Sequence, residues 1–208
     1  LVIEFKGVLV VDRWSAYDVL GVKAWQYCWA HLKRDWEKFR LRGGVDAELA
    51  DRLARETDGL FERWHWFRQG RRDRAWLRRS MARVRRAFRK LLEEGVERAS
   101  AKTRGTCREL LGTFERMWTF VDLEGVPPTN NFAEQQIRHG VIWRKTSYGS
   151  DSPRGCLFAG RILSVVATCR QHARSVFAFL CDAVTAKLRG LATPSLVPAE
   201  CLSNGLGA

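Results

Sequence analysis

Gly7-Val8-Leu9-Val10-Val11-Asp12 is the stretch whose reading decides the fold. Its consecutive branched apolar residues suit a strand buried on both faces, as in a parallel or mixed central sheet. The run ends in an acid, and α/β folds gather their ligands at the C-terminal ends of such strands. Asp12 reads equally well as a turn residue or helix cap ahead of Trp14-Ser15-Ala16-Tyr17.

Working outward, Ala24 to Trp29 reads as a second short strand. Cys28-Trp29-Ala30-His31 then enters a helix through Leu32-Lys33-Arg34-Asp35-Trp36. Cys-x-x-His is half of a zinc site at most, and Cys28 and His31 read as structural. From Val45 to about Leu123 the pattern is helical, with three apolar stripes: Leu49 to Phe67, Leu77 to Leu91 and Cys107 to Val121. Gly70 and Gly95 are the expected breaks between them. Three amphipathic helices with short connections imply an antiparallel helical subdomain.

The middle helix is crowded with Arg71, Arg72, Arg74, Arg78, Arg79, Arg83, Arg85, Arg86, Arg89 and Lys90. A charge run is usually a solvated face. Here acids are nearly absent, few pairs can form within the helix, and a phosphate-facing surface is the preferred reading, with Arg78, Arg79, Arg85 and Arg86 as its DNA contacts. Composition agrees: the net charge is +13 over 208 residues, with 46% hydrophobic and 28% charged residues. Such an excess favours a polyanionic partner. GC-rich coding explains why 28 of the 36 basic residues are Arg, but it explains their excess over 23 acids less well.

Pro128-Thr129-Asn130-Asn131-Phe132-Ala133-Glu134-Gln135-Gln136-Ile137-Arg138 is the second organising stretch. Thr129 and Asn130 are good N-caps, Glu134 falls near the first turn where the helix dipole favours a carboxylate, and Arg138 follows at i+4. By itself this is a capped surface helix with one ion pair. Val141 to Ser150 adds Arg144, Lys145, hydroxyls and a glycine turn, a segment able to hold backbone phosphates or an ordinary basic loop. Gly155 to Ala173 is another amphipathic helix, and Ser175 caps a last one running to about Leu188. The tail from Gly190 is expected to be loose.

The six cysteines are irregularly spaced, which fits reduced thiols in a cytosolic protein. No stretch reaches the roughly 18 apolar residues a membrane span needs. The chain opens on Leu1, without Met and close to a strand, and is expected to be a piece of a longer protein.

Four segments in order resemble the bacterial insertion sequence 66 transposases: Val10-Val11-Asp12-Arg13-Trp14-Ser15-Ala16-Tyr17; Cys28-Trp29-Ala30-His31-Leu32-Lys33-Arg34-Asp35; Thr129 to Arg138; and Val141-Ile142-Trp143-Arg144-Lys145-Thr146-Ser147-Tyr148-Gly149-Ser150. The resemblance implies an α/β fold, mostly α in this fragment: an incomplete RNase H-like core with an inserted all-helical subdomain. Residues 1–40 would be the second half of the core sheet, 41–124 the Arg-rich insertion, 125–189 the rest of the core with the Glu134 helix, and 190–208 the tail. It implies a DDE metal site in which Asp12 is the second acid and Glu134 the third, both catalytic and both ligands of Mg²⁺. The activity implied is Mg-dependent DNA strand cleavage and strand transfer, with DNA as partner, no membrane, room for a homo-oligomer on DNA ends, and a cytoplasmic, nucleoid-associated location.

Arg138, Arg144 and Lys145 would neutralise phosphates near the scissile bond, and Asn131 would orient Glu134 or touch DNA. The first acid belongs on an upstream strand, and Glu4 is too close to Asp12 to occupy one. The two-metal site thus needs a third acid not present in this chain, and the fragment alone is expected to be inactive. Two other readings stand beside this one: a non-catalytic, basic DNA-binding remnant of such an element, and an unrelated helical nucleic-acid-binding protein.

Overall fold

The structure is a computed structural model that describes residues 7–14, 17, 22, 24–147 and 149–198. Glu4, Ser15, Ala16, Tyr148 and Cys201, named above, lie outside the described residues, as does the tail beyond residue 198. The chain is mostly helical and falls into two compact units, Leu1–Asn131 and Phe132–Ala208.

In the first unit, β1 (Val8–Val11) pairs in parallel with β2 (Ala24–Tyr27), Val8 opposite Ala24 and Val11 opposite Tyr27. Only Val11 of β1 is fully buried, so the strand is half-covered rather than enclosed on both faces. Cys28 is the N-cap residue of α1 (Trp29–Arg40). Then come α2 (Gly44–Arg68), α3 (Arg74–Arg98) and α4 (Ala101–Gly112), with α2 against both α1 and α3, and α3 against α4.

Gly70 does stand at the α2–α3 turn, with a left-handed φ of 69°. Gly95 does not break a helix. It lies buried inside α3, where a β-carbon would come within 2.5 Å of Cys107 Sγ and 2.8 Å of Leu49 Cδ2. Here the glycine serves close helix approach. The break falls instead at Ala99, whose backbone is extended, and the Ser100 amide beyond it is received by Asp46 Oδ1 at 2.8 Å. The third stripe is also interrupted. After α4 the chain makes a 3-10 turn at Phe114–Met117 and then a single helical turn, α5 (Thr119–Asp122).

That interruption serves the core. Trp29, Phe88 and Trp118 meet edge to face, with centroids 5.1 to 5.9 Å apart, the geometry favoured by ring quadrupoles. The Trp29 indole N–H and Gln26 Nε2 both donate to the Met117 carbonyl, at 2.8 and 3.0 Å. Gln26 Oε1 in turn accepts the Phe120 amide at 2.8 Å. A fully buried Gln on β2 thus satisfies backbone groups that the irregular 117–120 segment would otherwise strand.

The second unit holds α6 (Asn131–Thr146), which begins at the unit boundary, α7 (Pro153–Gln171) and α8 (Val176–Leu188). Ser152 caps α7 by accepting the Gly155 amide, with Pro153 in its first turn. Ser175 caps α8 by accepting the Ala178 amide, as the sequence predicts. The five described cysteines form no disulfide. Among the described residues no helix is long and apolar enough to cross a membrane.

Candidate active site and DNA-facing cations

Asp12 follows β1 directly and is partly buried. Its Oδ1 lies 3.3 Å from the Trp14 amide, so the carboxylate takes part in the turn that leaves the strand. Next to it, Arg13 pairs with Asp35 of α1 and, at 3.0 Å, with Glu109 of α4. The arginine beside the acid therefore ties the strand end to two helices.

Cys28 is a junction. Its amide donates to the Val11 carbonyl at 2.8 Å, one residue before Asp12. Its Sγ accepts the Asn130 amide at 3.4 Å, and the Trp29 amide donates to the Pro128 carbonyl at 2.9 Å. The strand bearing Asp12 and the Pro-Pro loop that runs into α6 are therefore both fastened to the start of α1. His31 sits one turn on, with Arg34 Nη1 3.2 Å from its Nε2. Among the described residues no group of three or more His, Cys, Asp or Glu could hold a metal ion.

Glu134 is partly exposed in the first turn of α6. Helical spacing puts Arg138 and Lys145 on its face, at i+4 and i+11, with Arg144 to one side. Arg138, Arg144, Lys145 and Asn131 are all exposed.

The cations of α3 from Arg74 to Lys90 divide into two rows. Arg74, Arg78, Arg85 and Arg89 turn to the 114–123 segment. Arg74 Nη1 donates to the carbonyls of Phe120, Val121 and Leu123 at 3.1 to 3.2 Å, where a cation complements the exposed carbonyls of a helix end. Arg78 donates to the Asp122 carbonyl at 2.9 Å and lies 3.5 Å from its carboxylate. Arg85 pairs with Glu115, and the Arg89 guanidinium stands 4.2 Å over the Phe114 ring. Arg79, Arg83, Arg86 and Lys90 form the other row. All four are exposed, and they make no hydrogen bond, ion pair or ring contact among the described residues.

Of the four arginines that the sequence offers as DNA contacts, Arg78 and Arg85 fall in the paired row and Arg79 and Arg86 in the exposed row, which also holds Arg83 and Lys90. The spacing i, i+4, i+7, i+11 counted from Arg79 is the signal that groups the second row. The Cys28 junction had no such signal, because its partners are backbone groups remote in sequence.

No curated protein and no solved structure matches the chain. Residues 1–157 match the Transposase IS66 family, a span running from before β1 through all the helices of the first unit to the start of α7. The match covers three-quarters of the chain and takes in Asp12, the Cys28 junction, the two rows of α3 and Glu134, and on that ground the chain belongs to the Transposase IS66 family.

Proposed function

We propose that this chain is the catalytic region of a DDE transposase with an RNase H-like core, cleaving DNA strands and joining them in bacterial cytoplasm. Asp12 and Glu134 supply two of its acids, the helices from α2 to α4 belong to an insertion in the core, and Arg138, Arg144 and Lys145 receive phosphates. Asn131 supports the Glu134 carboxylate or the DNA.

What supports this reading is the junction at Cys28 and Trp29, where the strand that ends in Asp12 and the loop that leads to Glu134 share hydrogen-bonding partners. A carboxylate at a strand end is held by backbone geometry rather than by a long flexible side chain, which suits a ligand that must be positioned in advance. Hard carboxylate oxygens are the donors Mg²⁺ prefers. Two acids make part of such a site, and the third lies outside the residues named here. When bound, the metal ions would activate the attacking oxygen and stabilise the leaving one. The residues of this chain hold carboxylates near a strand end and a helix start, and set cations where phosphate charge must be balanced.

The test uses the transposase as its element encodes it. Asp12→Asn and Glu134→Gln should each abolish excision from a supercoiled plasmid and leave a gel shift on the same preparations unchanged, since neither removes a cation. Excision that survives both changes would leave the chain a DNA-binding role alone. Metal-dependent cleavage by the 208 residues by themselves would show that the first acid lies within them.

A further inference from the structure

Arg79, Arg83, Arg86 and Lys90 lie at i, i+4, i+7 and i+11 on α3, on the side away from buried Leu77, Met81, Val84 and Phe88. At 1.5 Å per residue the row is straight and about 16 Å long. Like charges at these spacings destabilise a helix. The row also begins in the N-terminal half of α3, where the helix dipole does not favour cations. A face that was merely solvated would gain from alternating signs, yet no acid falls between Arg74 and Lys90, and Glu93 and Glu97 appear only beyond its end. Across the groove beside Lys90 stand Arg52, Arg55 and Glu56 of α2, and Arg52 is already paired with Glu94 at 2.7 Å. The same helix pairs its cations one position earlier, at Arg78 and Arg85, where pairing holds the 114–123 segment. The exposed row has no such internal use.

We propose that this row is a docking surface for the sugar-phosphate backbone of duplex DNA, engaged without regard to base sequence. Three guanidiniums offer forked donors matched to phosphate oxygens. Exposed Ala75 and Ala82 flank the row and let a duplex come close. The row has no Asn or Gln to read adenine edges and no acid to read cytosine. It also has no ring on which unpaired bases could stack. Trp76 of α3 is engaged by Trp66 at 5.8 Å and by Arg72 at 5.6 Å. The inference rests on the DNA substrate of the transposase reading but not on Asp12 or Glu134.

The experiment is fluorescence anisotropy of a labelled duplex of arbitrary sequence with the full 208-residue chain, in EDTA, across a series of KCl concentrations. EDTA removes metal chemistry, so failure of the catalytic assignment leaves this readout untouched. Two matched double variants decide the matter. Arg79→Gln with Arg86→Gln should make the slope of log K against log [KCl] shallower by about 1.8, at roughly 0.9 per lost phosphate contact. Arg78→Gln with Arg85→Gln removes the same charge one position away, and should leave the slope unchanged and lower Tm. Replacing all four row residues should flatten the slope by about 3.6. If that variant does not fold, the Arg83→Gln, Lys90→Gln double takes its place, with about 1.8 expected. Equal slope changes in the two matched doubles would overturn the proposal. So would tighter, row-dependent binding of single-stranded DNA or duplex RNA.

Discussion

The two compact units are both built of long helices, yet they bury their side chains very differently. The first unit encloses Trp29, Trp36, Phe39, Phe88, Trp118 and Phe120 almost completely. In the second, among the described residues, only Cys169, Phe179 and Ala186 are buried, and Phe132, Ile137, Phe158, Phe177 and Leu188 are all more than 60% exposed. Helix content is therefore no guide to where stability resides. Propensity and caps such as Ser152 and Ser175 suffice to define α7 and α8, but most helical stability comes from packing an apolar face. The first unit has that packing and the second has little of it.

The same substitution in each unit should give the largest contrast. Phe88→Ala removes a ring packed against Trp29, Trp36 and Trp118 and should cost about 3–5 kcal/mol in urea unfolding followed by tryptophan fluorescence. Phe158→Ala, at a side chain 63% exposed, should stay within about 0.5 kcal/mol. Comparable losses would show that Phe158 is enclosed in solution.

A smaller effect sharpens it from the polar side. Asp46 on α2 is buried and accepts hydrogen bonds from the Ser100 amide, the Ser100 hydroxyl and the Thr103 hydroxyl. Burial by itself raises its pKa, but these hydrogen bonds, with Arg42 nearby, outweigh it and hold the carboxyl below its ordinary value. A depressed folded-state pKa means stability that is fully present above the unfolded value and is lost as pH falls through the folded one. Asp46→Ala should cost about 1–3 kcal/mol at neutral pH, because it strands buried donors. The gap between wild type and variant should narrow in urea titrations taken below about pH 4, the ordinary carboxylate range. A gap that stays constant down to the acid-unfolding limit would mean that the carboxylate charge contributes nothing.

Much of the chain was legible from residue order alone. The apolar run before Asp12, the strand before Cys28, the α1 entry and the Ser175 cap all depend on neighbours along the sequence, and the structure has each of them. What was not legible depends on neighbours in space. Gly95 reads as a helix break until Cys107 and Leu49 are seen pressed against it. Gln26 reads only as one position of a short strand until Met117 and Phe120 take its amide. Cys107 reads as one more apolar position, yet burial, aided by Asp46, pushes its thiol up to about 12 and keeps it neutral. At the candidate site, Asp12 and Glu134 were visible only as parts of motifs, and local pattern alone left Asp12 open to a turn or cap role and Glu134 to an ion pair on a surface helix. Among the cations named on the middle helix, spacing groups the row that starts at Arg79, but nothing local shows that the other row is paired, because Asp122 and Glu115 reach α3 through a turn that the apolar stripe concealed.

The finest contrast lies between two helical glycines. Gly95 sits in the core of the first unit, where an added methyl meets a buried thiol and a buried leucine that have nowhere to go. Overpacking of this kind costs about 1–3 kcal/mol, against which alanine recovers up to about 1 kcal/mol of helix propensity, so Gly95→Ala should be net destabilising. Gly140 in α6 presents a similar distance on paper, 2.8 Å to Leu163 Cδ1. That atom is the far end of a flexible side chain, and Leu163 lines open clefts between α6 and α7 that give it room to turn. Gly140→Ala should therefore keep most of the propensity gain and stabilise α6 by up to about 1 kcal/mol. Amide hydrogen exchange within α6 is the suitable measurement, since a global melt follows the core of the first unit. Slower exchange along α6 is the expected result. Faster exchange there would mean that Leu163 cannot yield, and that the second unit is packed as tightly at this point as the first.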